Sequence, residues 1–341
     1  MSDRARARVA FLQSAGWGQA ACSALAADAS TRRYFRLQDA MKGRAIFMDA
    51  PFERPPKPLA PPYITPEPEP FLAIARYLTE IGLSAPQIYA EDRAAGFLLL
   101  EDLGDDLFTH TVEIKPQAEE TLYAAAVTML ADLARQTPPK GLAPPYDLAT
   151  YQFESALALE WYAPHCSDAA YAAFSEALAE ALPTNGPKAL VLRDVHAENL
   201  LWLPNRAAPQ NVGLLDFQDG LIGHPAYDLV SLLEDARRDT SEALRDKMIS
   251  HYLALTGFER EPFLRAYATL GAQRNLKILG IFARLARRDS KPKYLAHLPR
   301  VWGHLMRDLA HPALADLRAV VLDCLPKPSP AHIASFQPAD G

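Results

Sequence analysis

The most informative pattern in the chain lies in residues 190–235, LVLRDVHAENLLWLPNRAAPQNVGLLDFQDGLIGHPAYDLVSLLED. Asp194 is followed five residues later by Asn199, and two apolar runs that predict a hairpin lead from there to Asp216. Phosphoryl transfer needs an aspartate that accepts a hydroxyl proton, together with an Asn and a second Asp that hold magnesium on a nucleotide. The pattern therefore predicts a small-molecule kinase.

Each of these residues, taken alone, is a common turn or cap residue, so the prediction depends on all three occurring in this order. We expect Asp194 to act as the catalytic base, and Asn199 and Asp216 to supply the oxygen ligands that Mg²⁺ prefers. Few other groups are needed, because phosphoryl transfer depends mainly on positioning and charge neutralisation.

Two further residues of the pattern have supporting roles. His196 lies between Asp194 and Asn199, at a position that the mechanism leaves unused, and we expect a structural or a substrate-side contact there. Asp228 lies in the segment GHPAYDL, which opens a predicted helix, and it would either cap that helix or brace the catalytic loop. We therefore expect Asp228 to be a structural support.

The order of predicted elements indicates an α+β protein with two lobes. Strand signals occupy the first third, and helical periodicity dominates the remainder apart from the central hairpin. We expect a small N-terminal lobe with an antiparallel sheet at 1–103, a larger, mainly helical C-terminal lobe at 104–325, and a loosely held tail at 326–341. The proline-rich segment 51–70 is expected to be an extended surface connection.

Two segments of the first third are candidates for nucleotide binding. Ser30 and Thr31 precede a predicted hairpin, and their hydroxyls with nearby backbone N–H groups would replace a glycine-rich loop. A buried apolar strand at 96–100 leads into a connector in which Glu101 and Leu103 would meet an adenine edge through their backbone. An ordinary edge hairpin and a plain strand with its loop are the alternatives, so both assignments depend on the kinase prediction.

Composition and charge exclude several classes of protein. The 341 residues have a net charge of −6 with both signs spread along the chain, whereas a nucleic-acid-binding protein shows a basic stripe. The three cysteines form no CxxC pair, which argues against zinc and disulfides and fits a reducing compartment. There is no secretory signal and no apolar run of about 18 residues, so we expect a cytoplasmic monomer without membrane or nucleic-acid partners.

The central pattern resembles the aminoglycoside phosphotransferase family, whose members are relatives of the protein kinases. The catalytic loop HxDxxxxN, the (I/L)D(F/W) strand end and the GxPxxDL segment of that family correspond to residues 192–199, 215–217 and 223–229. The resemblance implies a two-lobed kinase-like fold, ATP and Mg²⁺ as cofactors, and the same catalytic and metal-binding roles for the three residues described above.

Other segments are similar to one subgroup of that family, the cell-wall-recycling kinases that act on the anomeric hydroxyl of N-acetylmuramate and N-acetylglucosamine. These segments are ADASTRRYFRL, MDAP, LLLEDLGDDLF, LDFQDG and LKILGIFARLARRDSKPKYLAHLPR. The resemblance implies a small amino-sugar substrate, a sugar 1-phosphate product made with ATP, and a place in peptidoglycan recycling on a salvage route to the UDP-sugar.

Two positions depart from the family pattern. Leu192 stands where the catalytic loop usually has a His, so that His has no role here. Met48 stands on the strand where a phosphate-binding Lys is expected, so another cation must meet the nucleotide phosphates. We expect Arg32 or Arg33 to replace that Lys, because a guanidinium fork can bind phosphate bidentately, although both also fit a solvated strand.

The acceptor cleft of this fold is expected near two helical regions, with Glu160, Arg274, Lys277 and His196 as candidate acceptor-binding residues. A lactyl carboxylate on N-acetylmuramate would favour a basic residue there. A charged helix face in solvent explains Arg274 and Lys277 equally well.

Two other functions stay open from the sequence. One is a kinase for another hydroxylated small molecule, such as an aminoglycoside or a choline-like compound, which would need an acidic cleft. The other is a non-catalytic nucleotide-binding pseudokinase, which the missing strand Lys supports and the intact catalytic pattern opposes. A protein kinase is disfavoured, because Asp216 is followed by Phe-Gln and no Ala-Pro-Glu segment comes after it.

Overall fold

The structure, a computed structural model, describes residues 2–25, 32–51, 68–183 and 185–336. Ser30, Thr31 and most of the proline-rich segment 51–70 lie outside the described residues. No helix of the described residues is long and apolar enough to cross a membrane.

The secondary structure follows the predicted order, a strand-rich first third and then a mainly helical remainder. In chain order the elements are α1 (Asp3–Ser14), β1 (Ala21–Ala24), β2 (Arg33–Asp39), β3 (Gly43–Asp49), α2 (Glu69–Glu80), β4 (Ile88–Asp92), β5 (Phe97–Glu101), α3 (Phe108–Ile114), α4 (Glu119–Ala134), α5 (Leu148–Leu157), α6 (Asp168–Ala181), β6 (Ala189–Val191), β7 (Leu200–Trp202), β8 (Val212–Leu214), β9 (Leu221–Gly223), α7 (Ala226–Leu233), α8 (Glu242–Thr256), α9 (Arg260–Arg287), α10 (Leu298–Asp308), α11 (Ala315–Cys324) and α12 (Pro330–Ala334). The α+β class is therefore confirmed.

The chain divides into two compact units whose boundaries differ from the expected lobes. The first unit comprises residues 1–129, 139–143 and 198–220, and the second comprises 130–138, 144–197 and 221–341. A single boundary at residue 103 does not describe this division, because the chain returns to the first unit twice after leaving it.

The first unit is built on a five-stranded antiparallel sheet in the order β1-β2-β3-β5-β4. Phe35, Phe47 and Leu99 are paired across β2, β3 and β5, so their side chains lie on one face of the sheet. Helix α1 packs on this face, and the ring of Phe11 lies 5.9 Å from that of Phe47. The predicted small antiparallel sheet is thus present, with β1 added at an edge that the sequence did not predict.

The predicted central hairpin consists of β7 and β8, which pair Leu200 with Leu214. It belongs to the first unit, because β7 forms a bridge to Leu107 and β8 forms a bridge to Ser84. The hairpin that carries the two candidate metal ligands is therefore held by loops of the first unit, whereas its position in the sequence predicts it in the helical lobe.

The second unit is organised around the 28-residue helix α9, against which α5, α7 and α10 pack. Gly280 allows a close approach between α9 and the end of α5. A Cβ atom at Gly280 would lie 2.2 Å from the backbone carbonyl carbon of Leu157. At this point the chain leaves α5 and continues as a π-helical turn, Ala158–Tyr162. The position of α9 is thus fixed by backbone contact.

The end of the described chain is packed, which corrects the expectation of a loosely held tail beginning at Pro326. Phe336 is 1% exposed, and its ring stacks on Tyr162 at 5.5 Å. The hydroxyl of Tyr162 donates a hydrogen bond of 2.7 Å to the carbonyl of Pro326. The Pro-, Ser- and Ala-rich composition of this segment predicts weak packing. The aromatic ring of Phe336 nevertheless packs in the second unit and holds the segment there.

Candidate active site

The catalytic loop of the second unit is held by Asp228. The backbone N–H groups of Leu192 and Arg193 donate to the two carboxylate oxygens of Asp228, at 2.7 and 2.8 Å. Arg193 has a positive φ of 74°, and the hydroxyl of Ser231 donates to its carbonyl at 3.1 Å. Helix α7 has no side-chain cap at its start, so Asp228 braces the loop rather than capping the helix.

Burial raises the pKa of Asp228 to about 7, and the two N–H donors from the loop limit the rise. The residue is 2% exposed. Its carboxylate is therefore committed to the backbone of the loop and is unavailable for substrate.

Asp194, which follows directly in this loop, is half-buried and surrounded by cations. Burial by itself would raise the pKa of its carboxyl, but the positive charges of Lys277, Arg193 and Arg274 hold that pKa below its usual value. Asp194 is consequently ionised at neutral pH and is able to accept a proton.

A buried carboxylate that the sequence did not single out balances two of these cations. Glu154 on α5 is 2% exposed, and it contacts the guanidinium of Arg193 and lies 3.3 Å from Nζ of Lys277. The hydroxyl of Tyr146 also donates to Glu154. In the sequence, Glu154 is only an acidic residue on the apolar side of a helical pattern. That feature does not distinguish a functional carboxylate from a solvated one.

Three of the four predicted acceptor-binding residues lie close to Asp194 within the second unit. The charges of Lys277 and Arg274 act on its carboxylate, and His196 lies two residues after Asp194 in the same loop. Glu160 does not join them, because it is exposed on the π-helical turn and its charge acts on Arg284 instead. A role for Glu160 in acceptor binding therefore stays a prediction.

His196 is 7% exposed, and burial lowers the pKa of its imidazole. Its Nε2 lies 3.5 Å from a guanidinium nitrogen of Arg237, and Asp235 opposes the lowering of the pKa. Arg237 and Asp235 follow α7 and were not predicted as site residues. The imidazole is thus neutral at neutral pH and oriented by charged neighbours.

The candidate metal ligands lie in the first unit, at the ends of the hairpin strands. The backbone N–H of Leu215 donates to the carbonyl of Asn199 at 3.0 Å, which places the ends of β7 and β8 side by side. Asp216 is exposed, has a positive φ of 56°, and accepts a hydrogen bond of 2.8 Å from Gln218. An amide oxygen and a carboxylate match the oxygen ligands that Mg²⁺ prefers, so these residues fit that ion.

Tyr34 and Arg32 lie near Asp216 in the first unit. Burial raises the pKa of the Tyr34 phenol, Asp216 adds to the rise, and Arg32, which hydrogen-bonds the phenol, opposes it. Arg32 is half-buried, whereas Arg33 is exposed. Of the two arginines proposed to meet the nucleotide phosphates, Arg32 is thus the one placed close to a candidate metal ligand.

The connector after β5 contains the other candidate nucleotide contacts. The carboxylate of Glu101 is paired with Arg206, and its backbone N–H donates to the carbonyl of Gln87 at 2.8 Å. Leu103 is half-buried, and its N–H donates no hydrogen bond within the described part of the chain. Leu103 can therefore offer a backbone donor to an adenine edge, whereas the Glu101 side chain and N–H are already engaged.

Comparison with known proteins matches this arrangement to a family. The phosphotransferase enzyme family matches residues 21–267. The chain belongs to this family. The phosphotransferase is 39% identical to an N-acetylmuramate/N-acetylglucosamine kinase of Caulobacter vibrioides, over 93% of this chain and 96% of that protein. It is 34% identical to a protein of the same name from Pseudomonas putida, over 90% of each chain.

Solved structures with the same fold include kinases for other acceptors. The phosphotransferase matches an ADP-bound aminoglycoside phosphotransferase, APH(2'')-Ib, with a TM-score of 0.60 and 14% identity over 88% of this chain and 96% of that one. It matches a choline/ethanolamine kinase family protein from Mesorhizobium loti with a TM-score of 0.59 and 18% identity, over 94% and 98% of the two chains. At these identities the likeness confirms the kinase-like fold alone.

Proposed function

We propose that this phosphotransferase transfers the γ-phosphoryl group of ATP to the anomeric hydroxyl of N-acetylmuramate, N-acetylglucosamine or both. The observation that carries the proposal is Asp194, an ionised carboxylate at the tip of a loop that Asp228 holds by two backbone hydrogen bonds. The names of the two relatives support the choice of acceptor. The product would be a sugar 1-phosphate, and the reaction would serve peptidoglycan recycling in the cytoplasm, where ATP is available.

The roles proposed for individual residues follow from their chemistry. Asp194 accepts the proton of the acceptor hydroxyl, whose oxygen then attacks the γ-phosphorus while ADP leaves. Asn199 and Asp216 would hold Mg²⁺, which neutralises charge on the nucleotide phosphates when bound. Arg32 would contact the phosphates and Leu103 the adenine edge. Ser30 and Thr31 stay candidates for covering the phosphates.

The acceptor can be tested with a panel of sugars, aminoglycosides and choline, each with ATP and Mg²⁺, followed by phosphorus NMR of the product. We expect phosphorylation of the two amino sugars and the distinctive signal of an anomeric phosphate. Phosphorylation of an aminoglycoside or choline in preference to both sugars would contradict the proposal.

Asp194→Asn serves as the control for the chemistry, because the amide has the shape of the carboxylate but cannot accept the proton. We expect kcat to fall by about 10²- to 10⁴-fold, the usual range for loss of a general base, with unchanged affinity for MgATP. Turnover near the wild-type rate would remove Asp194 from the role of base.

A cationic acceptor is disfavoured by the surroundings of Asp194, where Lys277, Arg193 and Arg274 all contribute positive charge. The absence of the strand Lys, replaced by Met48, favours a nucleotide-binding pseudokinase as the second candidate. A pseudokinase would phosphorylate none of the panel, and its affinity for ATP would be the same with and without Mg²⁺.

A further inference from the structure

Arg274 is a buried cation of the second unit whose guanidinium group has an N–H donor without an acceptor. The residue is 5% exposed on α9, and its Nη1 is fully buried without a hydrogen-bond partner. No residue of the described ranges accepts a hydrogen bond from its side chain. The neighbouring cations differ, because Lys277 and Arg193 both contact Glu154.

A buried guanidinium carries a large desolvation cost unless its charge and its N–H groups are both matched. The charges of Asp194 and Asp228 offset the charge of Arg274. No hydrogen bond joins Arg274 to either carboxylate, and both oxygens of Asp228 accept N–H groups of the catalytic loop. Within the described part of the chain, the charge of Arg274 is therefore offset but its Nη1 has no hydrogen-bond acceptor.

The part of α9 that carries Arg274 makes close contacts on both sides of this residue. On one side of it along α9, a Cβ atom at Gly271 would lie 2.6 Å from a carboxyl oxygen of Asp308. On the other side, Gly280 is in backbone contact with α5 at Leu157. These two close contacts hold the helical segment between them, and with it the backbone position of Arg274.

We propose that Arg274 binds a carboxylate of the acceptor, so that the enzyme prefers a sugar acid to the corresponding neutral sugar. In terms of the proposed function, on which this inference rests, the preferred acceptor is N-acetylmuramate rather than N-acetylglucosamine. A guanidinium group can bind a carboxylate through two parallel hydrogen bonds. Because Arg274 lies near Asp194, the proposed base, the carboxylate that it binds would belong to the acceptor, whose hydroxyl group Asp194 deprotonates. A neutral acceptor leaves the buried donors unpaired.

The inference is tested by measuring kcat/KM for three acceptors, namely N-acetylmuramate, its methyl ester and N-acetylglucosamine. The ester keeps the shape of the acid and removes its charge. We expect the wild-type enzyme to prefer the acid to both neutral acceptors by about 10- to 100-fold, the range for a charge-assisted bidentate pair. In Arg274→Gln the acid should lose this advantage over the ester, because the neutral glutamine no longer supplies a positive charge to pair with the carboxylate.

Two variants serve as controls. Arg274→Lys keeps the charge but loses the planar fork, and it should give an intermediate preference. Arg265→Gln makes the same chemical change at an exposed position of the same helix, and it should keep the wild-type preference.

The outcomes separate this inference from the proposed function. Equal losses for acid and ester in Arg274→Gln would assign Arg274 to the transferring phosphoryl group or to Asp194 and overturn the inference alone. Equal kcat/KM for acid and ester in the wild-type enzyme would overturn it even if the variant failed to fold. Phosphorylation of neither sugar by the wild-type enzyme would overturn the proposed function, and the inference with it.

Discussion

The alternation of side chains along β2 places Arg32 and Arg33, the two arginines that could replace the missing strand Lys, on opposite faces of the sheet. Tyr34 pairs with Met48 across β2 and β3, so the two side chains lie on the same face of the sheet. Arg32 is two residues before Tyr34 and continues that face, whereas Arg33 continues the opposite face with Phe35. Of these two arginines, Arg32 is therefore the one on the face of Met48.

We predict that Arg32→Ala raises the KM for ATP several-fold, because it removes the cation placed to contact the nucleotide phosphates. The measurement is steady-state kinetics with ATP varied at saturating acceptor. Arg33→Ala is the matched control, since it deletes the same charge from the other face of β2, and its KM should stay at the wild-type value. An unchanged KM in Arg32→Ala, or an equal rise in both variants, would argue against this role.

The functional residues that could be predicted from the sequence are those that lie close together in the chain and form a recognisable motif. Asp194, Asn199 and Asp216 were proposed from one pattern, and Asp228 from its place at a helix start. Glu154 could not be proposed, because its contacts with Arg193 and Lys277 join segments that are distant in the sequence.

Among the elements, α9 determines most about the second unit, and its glycines mark where neighbours come closest. A Cβ atom at Gly280 would lie within 2.5 Å of the carbonyl carbon, the carbonyl oxygen and the Cβ of Leu157. An alanine side chain at this position would fit only if the backbone shifted, because the carbonyl carbon and oxygen of Leu157 belong to the main chain at the end of α5.

We predict that Gly280→Ala lowers the free energy of unfolding by about 1–3 kcal/mol, the range for overpacking a well-packed interior. The measurement is equilibrium unfolding in urea. Gly303→Ala is the control in helix α10, where an added Cβ meets no atom within 4 Å. There the better helix propensity of Ala should stabilise the protein by about 0.5–1 kcal/mol. A neutral effect of Gly280→Ala would mean that α9 and α5 can separate freely.

The element boundaries show where periodicity is sufficient and where it is not. Helical periodicity predicts a helix over residues 260–288, and α9 (Arg260–Arg287) agrees with it almost to its ends. The same periodicity predicts one helix over 150–162, whereas the structure has α5 followed by a π-helical turn. Apolar spacing does not report the extra residue of a π-helical turn.

For the molecule as a whole, the sequence predicted the fold class and the order of its elements but not the division into units. Hydrophobic periodicity assigns each segment to a helix or strand, but it does not state which other segment covers its apolar side. The hairpin at 198–220 was therefore assigned to the helical lobe from its position in the chain, whereas its bridges place it in the first unit.

We predict that MgATP raises the melting temperature of the whole protein, since a ligand that binds only the folded state stabilises it by mass action. At an MgATP concentration of 100 times the dissociation constant, the free energy of unfolding rises by about 2.7 kcal/mol. For a chain of this size, that corresponds to a rise of several degrees in the melting temperature. The measurement is thermal unfolding with ATP in the presence of Mg²⁺ or of EDTA, and the shift should be smaller with EDTA.

Asp216→Asn is the matched variant for this prediction, because Asn tolerates the positive φ of 56° at that position while losing the charge. The difference between Mg²⁺ and EDTA should shrink in the variant. If the variant keeps the full difference, the metal is held without Asp216.

The two hydrogen bonds that Asp228 accepts also offer a way to judge any variant of the catalytic loop. The amide protons of Leu192 and Arg193 point into a buried carboxylate, so their exchange with deuterated water requires the loop to open. Slow exchange at these two amides in an inactive variant would show that the loop is intact and that only its chemistry is lost. Fast exchange would show that the substitution has disturbed the loop itself.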